Sequence, residues 1–295
     1  MVLKSAAQVF EEQRREKRTP FSVEMFPPKG QLTLDAAREV VEGLRAASPD
    51  FISVTCSAGG SGNGSGGQTV TIAELIQDEA AIPAVAHFTC VSATRDSVNQ
   101  AISDLRAACV RTVLALRGDL VEGQEPADFP YACELIPLLK DAGFCVGAAA
   151  YPEGHIDCLD PRENLRHLKA KQEAGADFFI TQLFFNNDDF YRFRDDAAAV
   201  GVTAPITCGI MPFLGKSQIQ RMVFLCGSSL PAPIIKLLAK YEDDPASLRQ
   251  AGIEYACNQL VDLGRQGVDG LHVYAMNQPD IAHAAAGAIA AAGLR

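Results

Sequence analysis

A single closed α/β barrel is the fold class this sequence predicts, on three observations. Eight short apolar, β-rich runs recur along the 295 residues, and amphipathic helical segments separate them. Their starting points lie about 30 residues apart, until a last interval about twice as long. Eight strands alternating with helices over roughly 250 residues describe a (β/α)8 TIM barrel better than an open doubly wound sheet. Residues 1–19, charged and helix-compatible, form an N-terminal extension, and residues 20–295 form the barrel.

The runs, in order, are "FSVEMF" (21–26), "DFISVT" (50–55), "VAHFTC" (85–90), "TVLALR" (112–117), "FCVGAAAY" (144–151), "DFFITQLF" (177–184), "PITCGIM" (205–211) and "GLHVYAM" (270–276). A helix over 35–47 carries Ala37, Val40, Val41 and Leu44 on one face. Asp160-Pro161-Arg162-Glu163 has the form of a capping box with proline at the first helical position. The helix it opens has Leu165 and Leu168 at helical spacing and stops at Gly175. The interval 212–269 makes the β7–β8 connection an extended one, with room for two helices, "KSQIQRMVFLC" and "DPASLRQAGIEYACNQLVDLG".

One stretch argues for a different fold. In "SAGGSGNGSGG" (57–67), Gly62, Gly64 and Gly67 satisfy G-x-G-x-x-G between a strand and a helix, the context of a dinucleotide-binding turn. That turn also needs an acid about 20 positions on, to hold a ribose, and the segment there, "IPAVAHFTC", has none. The glycines are therefore expected to form a flexible loop after the second strand, on the face where barrels keep their active sites.

Composition narrows the function classes. A formal net charge of −10 with dispersed Lys and Arg argues against nucleic-acid binding. No apolar run approaches the roughly 20 residues that span a bilayer, and the N-terminus lacks a signal-peptide core, so no membrane partner and a cytoplasmic location are expected. Nine cysteines include no C-x-x-C pair, which speaks against a zinc ribbon, an iron–sulfur cluster or a redox dithiol; no metal site is expected.

In a barrel the C-terminal strand tips converge on one mouth. The tips here carry Glu24, Thr55, His87 with Thr89, Arg117-Gly118-Asp119, Tyr151, Gln182, Met211-Pro212, and Tyr274 with Asn277. Every strand but the seventh contributes a polar side chain. The His-x-His pair of a metal-dependent barrel hydrolase is absent after the first strand.

These motifs carry a resemblance. "FSVEMFPPKG", "FISVTCSAGG", "AHFTCVSATRD", "LALRGD", "AAYPEGH", "EAGADFFITQLFF", "GIMP" and "GLHVYAMN" resemble, in order and spacing, those of the methylenetetrahydrofolate reductase family, from about residue 20 to the C-terminus. The resemblance implies a flavin-containing barrel that moves a hydride from a nicotinamide cofactor to 5,10-methylenetetrahydrofolate, giving 5-methyltetrahydrofolate. It further implies the short bacterial form, without the regulatory domain of eukaryotic members. FAD is the implied flavin and NADH the implied reductant.

By the same resemblance Glu24 is the general acid that opens the folate's bridging ring, a task that near neutral pH requires burial to raise a carboxyl's affinity for its proton. Asp119 is the carboxylate beside the flavin, where negative charge disfavours the anionic reduced ring and favours a cationic iminium. Thr55, His87, Arg117, Gly118, Ala149, Tyr151, His155, Asn164, His167 and Lys171 fall on flavin-contacting positions. Gln182 and Tyr274 fall on the folate side.

Three departures qualify the match. The loop after strand 2 has extra glycines and Cys56 where an aromatic is common, which suggests a lid. Ala170 and Gln278 stand where arginines are common, so FAD is expected to bind more loosely, FMN to replace it, or the protein to work without flavin. After "GIMP", Lys216 takes the place of a stacking aromatic, leaving Phe213 as a stand-in and Lys216 as a partner for the folate's glutamate tail. Two alternatives keep the barrel: electrons supplied by a partner redox subunit, or a folate- or flavin-binding barrel without turnover. A homo-oligomer is compatible with each.

Overall fold

The computed structural model describes residues 3–27, 34–56, 66–119, 123 and 125–295. Eight parallel strands close in chain order: β1 (Phe21–Met25), β2 (Phe51–Val54), β3 (Ala84–Thr89), β4 (Thr112–Leu116), β5 (Cys145–Ala150), β6 (Phe178–Thr181), β7 (Ile206–Ile210) and β8 (Gly270–Tyr274), which pairs back onto β1. Around them run α2 (Leu34–Arg45), α3 (Gly66–Leu75), continued by a wide turn over Ile76–Ala80, α4 (Arg95–Ala107), α5 (Ala132–Asp141), α6 (Pro161–Glu173), α7 (Asn187–Ala199), α8 (Lys216–Cys226), α9 (Ala232–Lys240), α10 (Pro245–Arg265) and α11 (Pro279–Ala291), with α1 (Ala6–Arg15) preceding β1. The eight-strand barrel is the architecture the strand count predicts. The glycine loop over 57–65 lies outside the described residues.

Strand periodicity sorts side chains into two sets. Val23, Met25, Ile52, Val54, Ala84, Ala86, Val113, Val146, Phe179, Ile210, Leu271 and Val273 belong to the core cluster shared with the helices. The alternate positions Phe51, Val85, Leu114, Cys145, Phe178 and Ile180 form a second cluster with Ala6, Val9 and Phe10 of α1. The N-terminal helix therefore seals the barrel floor. Phe10 packs on Phe51 and Phe178 with ring centroids 6.2 and 5.4 Å apart. Gly147 is required there: a Cβ at that position would come within 2.4 Å of the Phe178 ring. Ser5 and Gln8 form a capping box that starts α1, and Thr112 Oγ1 accepts the Ala6 N–H at 3.0 Å, pinning the helix to β4.

Two local expectations need correction. The β7–β8 connection holds three helices, not two, because Pro231 caps and Ala232-Pro233 opens a further helix, α9, through "APIIKLLAK". At α6, Asp160 does accept the Arg162 N–H at 2.9 Å, but Glu163 does not return the bond; its carboxylate pairs with Arg166 and His167. The helix ends before Gly175, whose φ of +112° stops it as expected. Among the described residues no helix is long and apolar enough to cross a membrane.

Candidate active site

Above the aromatic floor the barrel lumen turns polar. Ladder register sets Glu24 beside Ser53 on one side and Tyr274 on the other, and Ser22 beside His272. Glu24 is 19% exposed, the upper edge of a column whose lower members, Ser22, Ser53 and His272, are fully buried. Two imidazoles point at the same carboxylate oxygen: His87 Nε2 lies 3.6 Å and His272 Nε2 3.9 Å from Glu24 Oε2.

His87 is held neutral. Burial lowers its pKa to about 4 against the opposing pull of Glu24, and at 3.6 Å the contact is beyond hydrogen-bond range. Its Nε2 is buried without a hydrogen-bond partner among the described residues. A buried polar nitrogen without a partner is a place for a ligand atom.

Beside this column, the tips of β3 to β6 gather positive charge. Lys171, reaching from α6, donates to Ala149 O at 2.8 Å and sits 5.2 Å above the Tyr151 ring. No carboxylate lies within ion-pair distance of it among the described residues, and burial lowers its pKa to about 8. Arg117 follows β4 and donates to Asp157 Oδ2 at 2.8 Å. Asp157 also lies 3.8 Å from His155 Nδ1, and the His155 ring meets Tyr151 edge-on at 4.7 Å. His155 is pushed down by burial and by Arg117. Tyr151 is pushed up to about 12, mainly by burial. Asn164 donates to Tyr151 O at 2.9 Å and fixes that corner.

The loop after β4 is shaped for close approach. Gly118 has φ +85°, and a Cβ there would meet Thr89 at 3.0 Å. Asp119 follows at the exposed rim. Thr55 closes β2, its N–H donating to Met25 O at 3.0 Å and its O accepting from Thr69. Gln182 extends β6, its N–H donating to Ala150 O at 2.7 Å and its Oε1 accepting the Leu183 N–H at 2.9 Å.

Other expected site residues are placed differently. Phe213 is fully buried against α10, tilted 53° to Tyr255 in a cluster with Leu183, Phe185 and Ile219, so its ring has no face left for a ligand. Lys216 is exposed at the start of α8 and paired with Glu242 at 2.8 Å, a surface ion pair. His167 is exposed and 3.3 Å from Glu163. Tyr274 lies beside Glu24, but its hydroxyl donates to Thr181 O at 2.6 Å.

Three residues escaped the sequence reading. His272 is one, though it stands two positions before Tyr274 and so shares its face. Gln218 is another: its Oε1 accepts the Leu214 N–H at 2.7 Å and its amide nitrogen donates to Pro212 O at 3.3 Å, bracing the loop after β7. Arg249 of α10 is the third. It donates to Gln278 Oε1 at 2.8 Å and Asp280 Oδ2 at 2.7 Å, bringing a guanidinium beside the position where a cation was missed. Ala170 is exposed on α6.

These features fit a bound aromatic cofactor carrying phosphate. The orphan His87 nitrogen, a lysine without a carboxylate partner and the Gly118 approach all lie at the tips of β3 to β6 and on α6. Among the described residues no group of three or more His, Cys, Asp or Glu could hold a metal ion.

Comparison with known proteins agrees with this geometry. A model of the methylenetetrahydrofolate reductase family matches residues 9–287. The 5,10-methylenetetrahydrofolate reductase of Pectobacterium carotovorum subsp. carotovorum is 31% identical over 264 residues, 89% of this chain and 87% of that one. The probable methylenetetrahydrofolate reductase (NADH) of Oryza sativa subsp. japonica is 32% identical over 277 residues, 88% of this chain but 46% of the rice protein. Among solved structures, a Clostridium thermocellum protein described as binding two copies of 5-methyl-5,6,7,8-tetrahydrofolic acid superposes with TM-score 0.67, covering 97% of this chain and all of that one. At 15% identity that likeness speaks for the barrel alone. With the matched motifs on the strand tips of an eight-stranded barrel, the chain belongs to the methylenetetrahydrofolate reductase family.

Proposed function

We propose that this protein reduces 5,10-methylenetetrahydrofolate to 5-methyltetrahydrofolate, consuming NADH and one proton, with FAD as the bound flavin. The observation that carries this reading is the pairing of one carboxylate in the barrel mouth, Glu24, with a neighbouring cation-bearing shelf of Arg117 and Lys171. The chemistry needs both: a proton donor for the folate and a seat for a phosphate-bearing cofactor.

The chain's own residues divide the work. Glu24 holds a proton at the top of the lumen and delivers it to a folate nitrogen, opening the bridging ring to a cationic iminium. Lys171 and Arg117 neutralise phosphate charge, Arg117 by leaving Asp157. The α6 N-terminus adds backbone N–H groups, one of them already taken by Asp160. Tyr151, Thr55, Ala149, His155 and Asn164 wall the same seat, and Gly118 lets backbone approach it. Asp119 supplies negative charge at the rim, and Gln182 offers an amide to the pterin once released from Leu183. Bound flavin supplies the relay of the hydride from nicotinamide to folate. NADH as donor is supported by the name of the rice relative.

The test is the absorption spectrum of freshly purified protein, with chromatography of the nucleotide released on denaturation. Stoichiometric FAD, together with NADH-dependent formation of 5-methyltetrahydrofolate under anaerobic conditions, is the expected result. Little flavin after reconstitution, or no folate turnover, would overturn it.

A further inference from the structure

Below Glu24 the lumen holds a buried hydrogen-bonding column that proton donation alone does not require. His272 is fully buried, stacked on Phe51 with ring centroids 6.3 Å apart, and met edge-on by Tyr274 at 5.3 Å. Its Nδ1 is 2.7 Å from Ser22 Oγ. Ser22 Oγ donates to Leu271 O at 3.3 Å.

A serine hydroxyl has a single hydrogen. With that hydrogen on Leu271 O, the 2.7 Å contact is completed by the His272 Nδ1–H donating into Ser22 Oγ. A neutral imidazole carries only one N–H, so Nε2 keeps its lone pair. That lone pair accepts the Ser53 hydroxyl at 3.5 Å, and Glu24 Oε2 lies 3.9 Å from it, close enough to feel its charge but beyond hydrogen-bond range.

We propose that the Ser22–His272 pair is a positioning device that keeps the acid proton on Glu24, by turning an acceptor rather than a donor towards its carboxyl group. A facing lone pair favours the protonated acid, whereas a facing N–H would favour the carboxylate. The proposal rests on the reading of Glu24 as the general acid. Among the described residues, three ionisable groups face Glu24: His87 from β3, and His272 and Tyr274 from β8. His87 stays neutral over the working range, and the Tyr274 hydroxyl is committed to Thr181 O. The tautomer of His272 is thus the variable that one serine hydroxyl controls.

Nitrogen-15 NMR of ligand-free, histidine-labelled protein reads that tautomer directly. The unaltered chain should show His272 as the Nδ1–H form. Ser22→Ala should convert it to Nε2–H and move the alkaline limb of folate reduction to lower pH, because an N–H facing the carboxyl group favours the carboxylate. Ser22→Thr, which keeps the hydroxyl, should retain the Nδ1–H form and so keeps the question open to test if the alanine variant does not fold. An Nε2–H signal in the unaltered protein would overturn the proposal. So would a converted tautomer with an unmoved pH limb. Absence of folate turnover in the unaltered protein would sink the functional reading instead, and the NMR assignment does not depend on that turnover.

Discussion

The floor and the mouth of this barrel are made from the same strands, yet they follow opposite rules. On the floor, Phe10, Phe51 and Phe178 fill the lumen with rings, and Gly147 is cut back to admit one of them. Each buried ring contributes about 1.5–3 kcal/mol relative to exposure. Higher on the same strands the inward positions become Glu24, Ser53, His87 and His272, with a buried nitrogen left unpartnered. Such groups cost stability unless something binds them. The difference teaches where the molecule invests: stability comes from the closed end, and chemistry is set out at the open one. Substitutions at the two ends should therefore fail in different ways.

Glu24→Gln should have the largest effect on turnover and almost none on folding. Loss of a positioned general acid costs roughly 10²- to 10⁴-fold in rate. Thermal unfolding should stay near that of the parent, and folate binding should survive. A variant that kept its rate would remove Glu24 from the acid's role.

Phe10→Ala attacks the other end. Truncating a buried phenylalanine costs about 3–5 kcal/mol. A drop in denaturation midpoint without a change in flavin content is the expected outcome. If flavin were lost before stability, floor and mouth would not be separable.

Lys171→Met should loosen flavin retention by roughly 10- to 100-fold, as expected for one charge-assisted hydrogen bond of about 1.5–3 kcal/mol. Equilibrium dialysis measures this, and unaltered affinity would place the phosphate elsewhere.

His87 sharpens the contrast through pH. Its folded pKa of about 4 lies below the ordinary 6.5, so between these values the unfolded chain binds a proton that the folded chain refuses. Stability of the flavin-free protein should therefore fall as pH drops from 6.5 towards 4, by at most about 1.4 kcal/mol per pH unit from this group. His87→Gln should flatten that slope, which chemical denaturation at several pH values can measure.

Gly118→Ala should show the smallest effect, about 1 kcal/mol or slightly more, since φ +85° strains a side chain that would also press on Thr89. Lower flavin affinity with little change in global stability is expected.

What was legible in the sequence follows from periodicity. Eight apolar runs with helices between them report a barrel because strand period and helix period differ, and strand tips converge by topology. Glu24, Arg117 and Tyr151 stand in motifs that survive as short strings. Phe213 and Lys216 did not follow, because the loop after β7 turns its aromatic under α10, a contact Gly252 permits and no local pattern announces. α9 was missed because two prolines at its start read as loop. His272 was hidden inside "GLHVY", where a lone histidine looks like core. Only the register of β8 on β1 brings it under Glu24. Arg249 comes from a helix about 30 residues from Gln278, beyond the reach of any local motif.

The half-reactions of anaerobic enzyme, followed in a stopped-flow spectrometer, test the central claim most directly. NADH should bleach the flavin of both parent and Glu24→Gln at similar rates. 5,10-Methylenetetrahydrofolate should then restore the colour quickly in the parent and at least 100-fold more slowly in the variant. Equal slowing of both half-reactions, or prompt recovery of colour in the variant, would contradict the assignment of Glu24 as the acid that readies the folate.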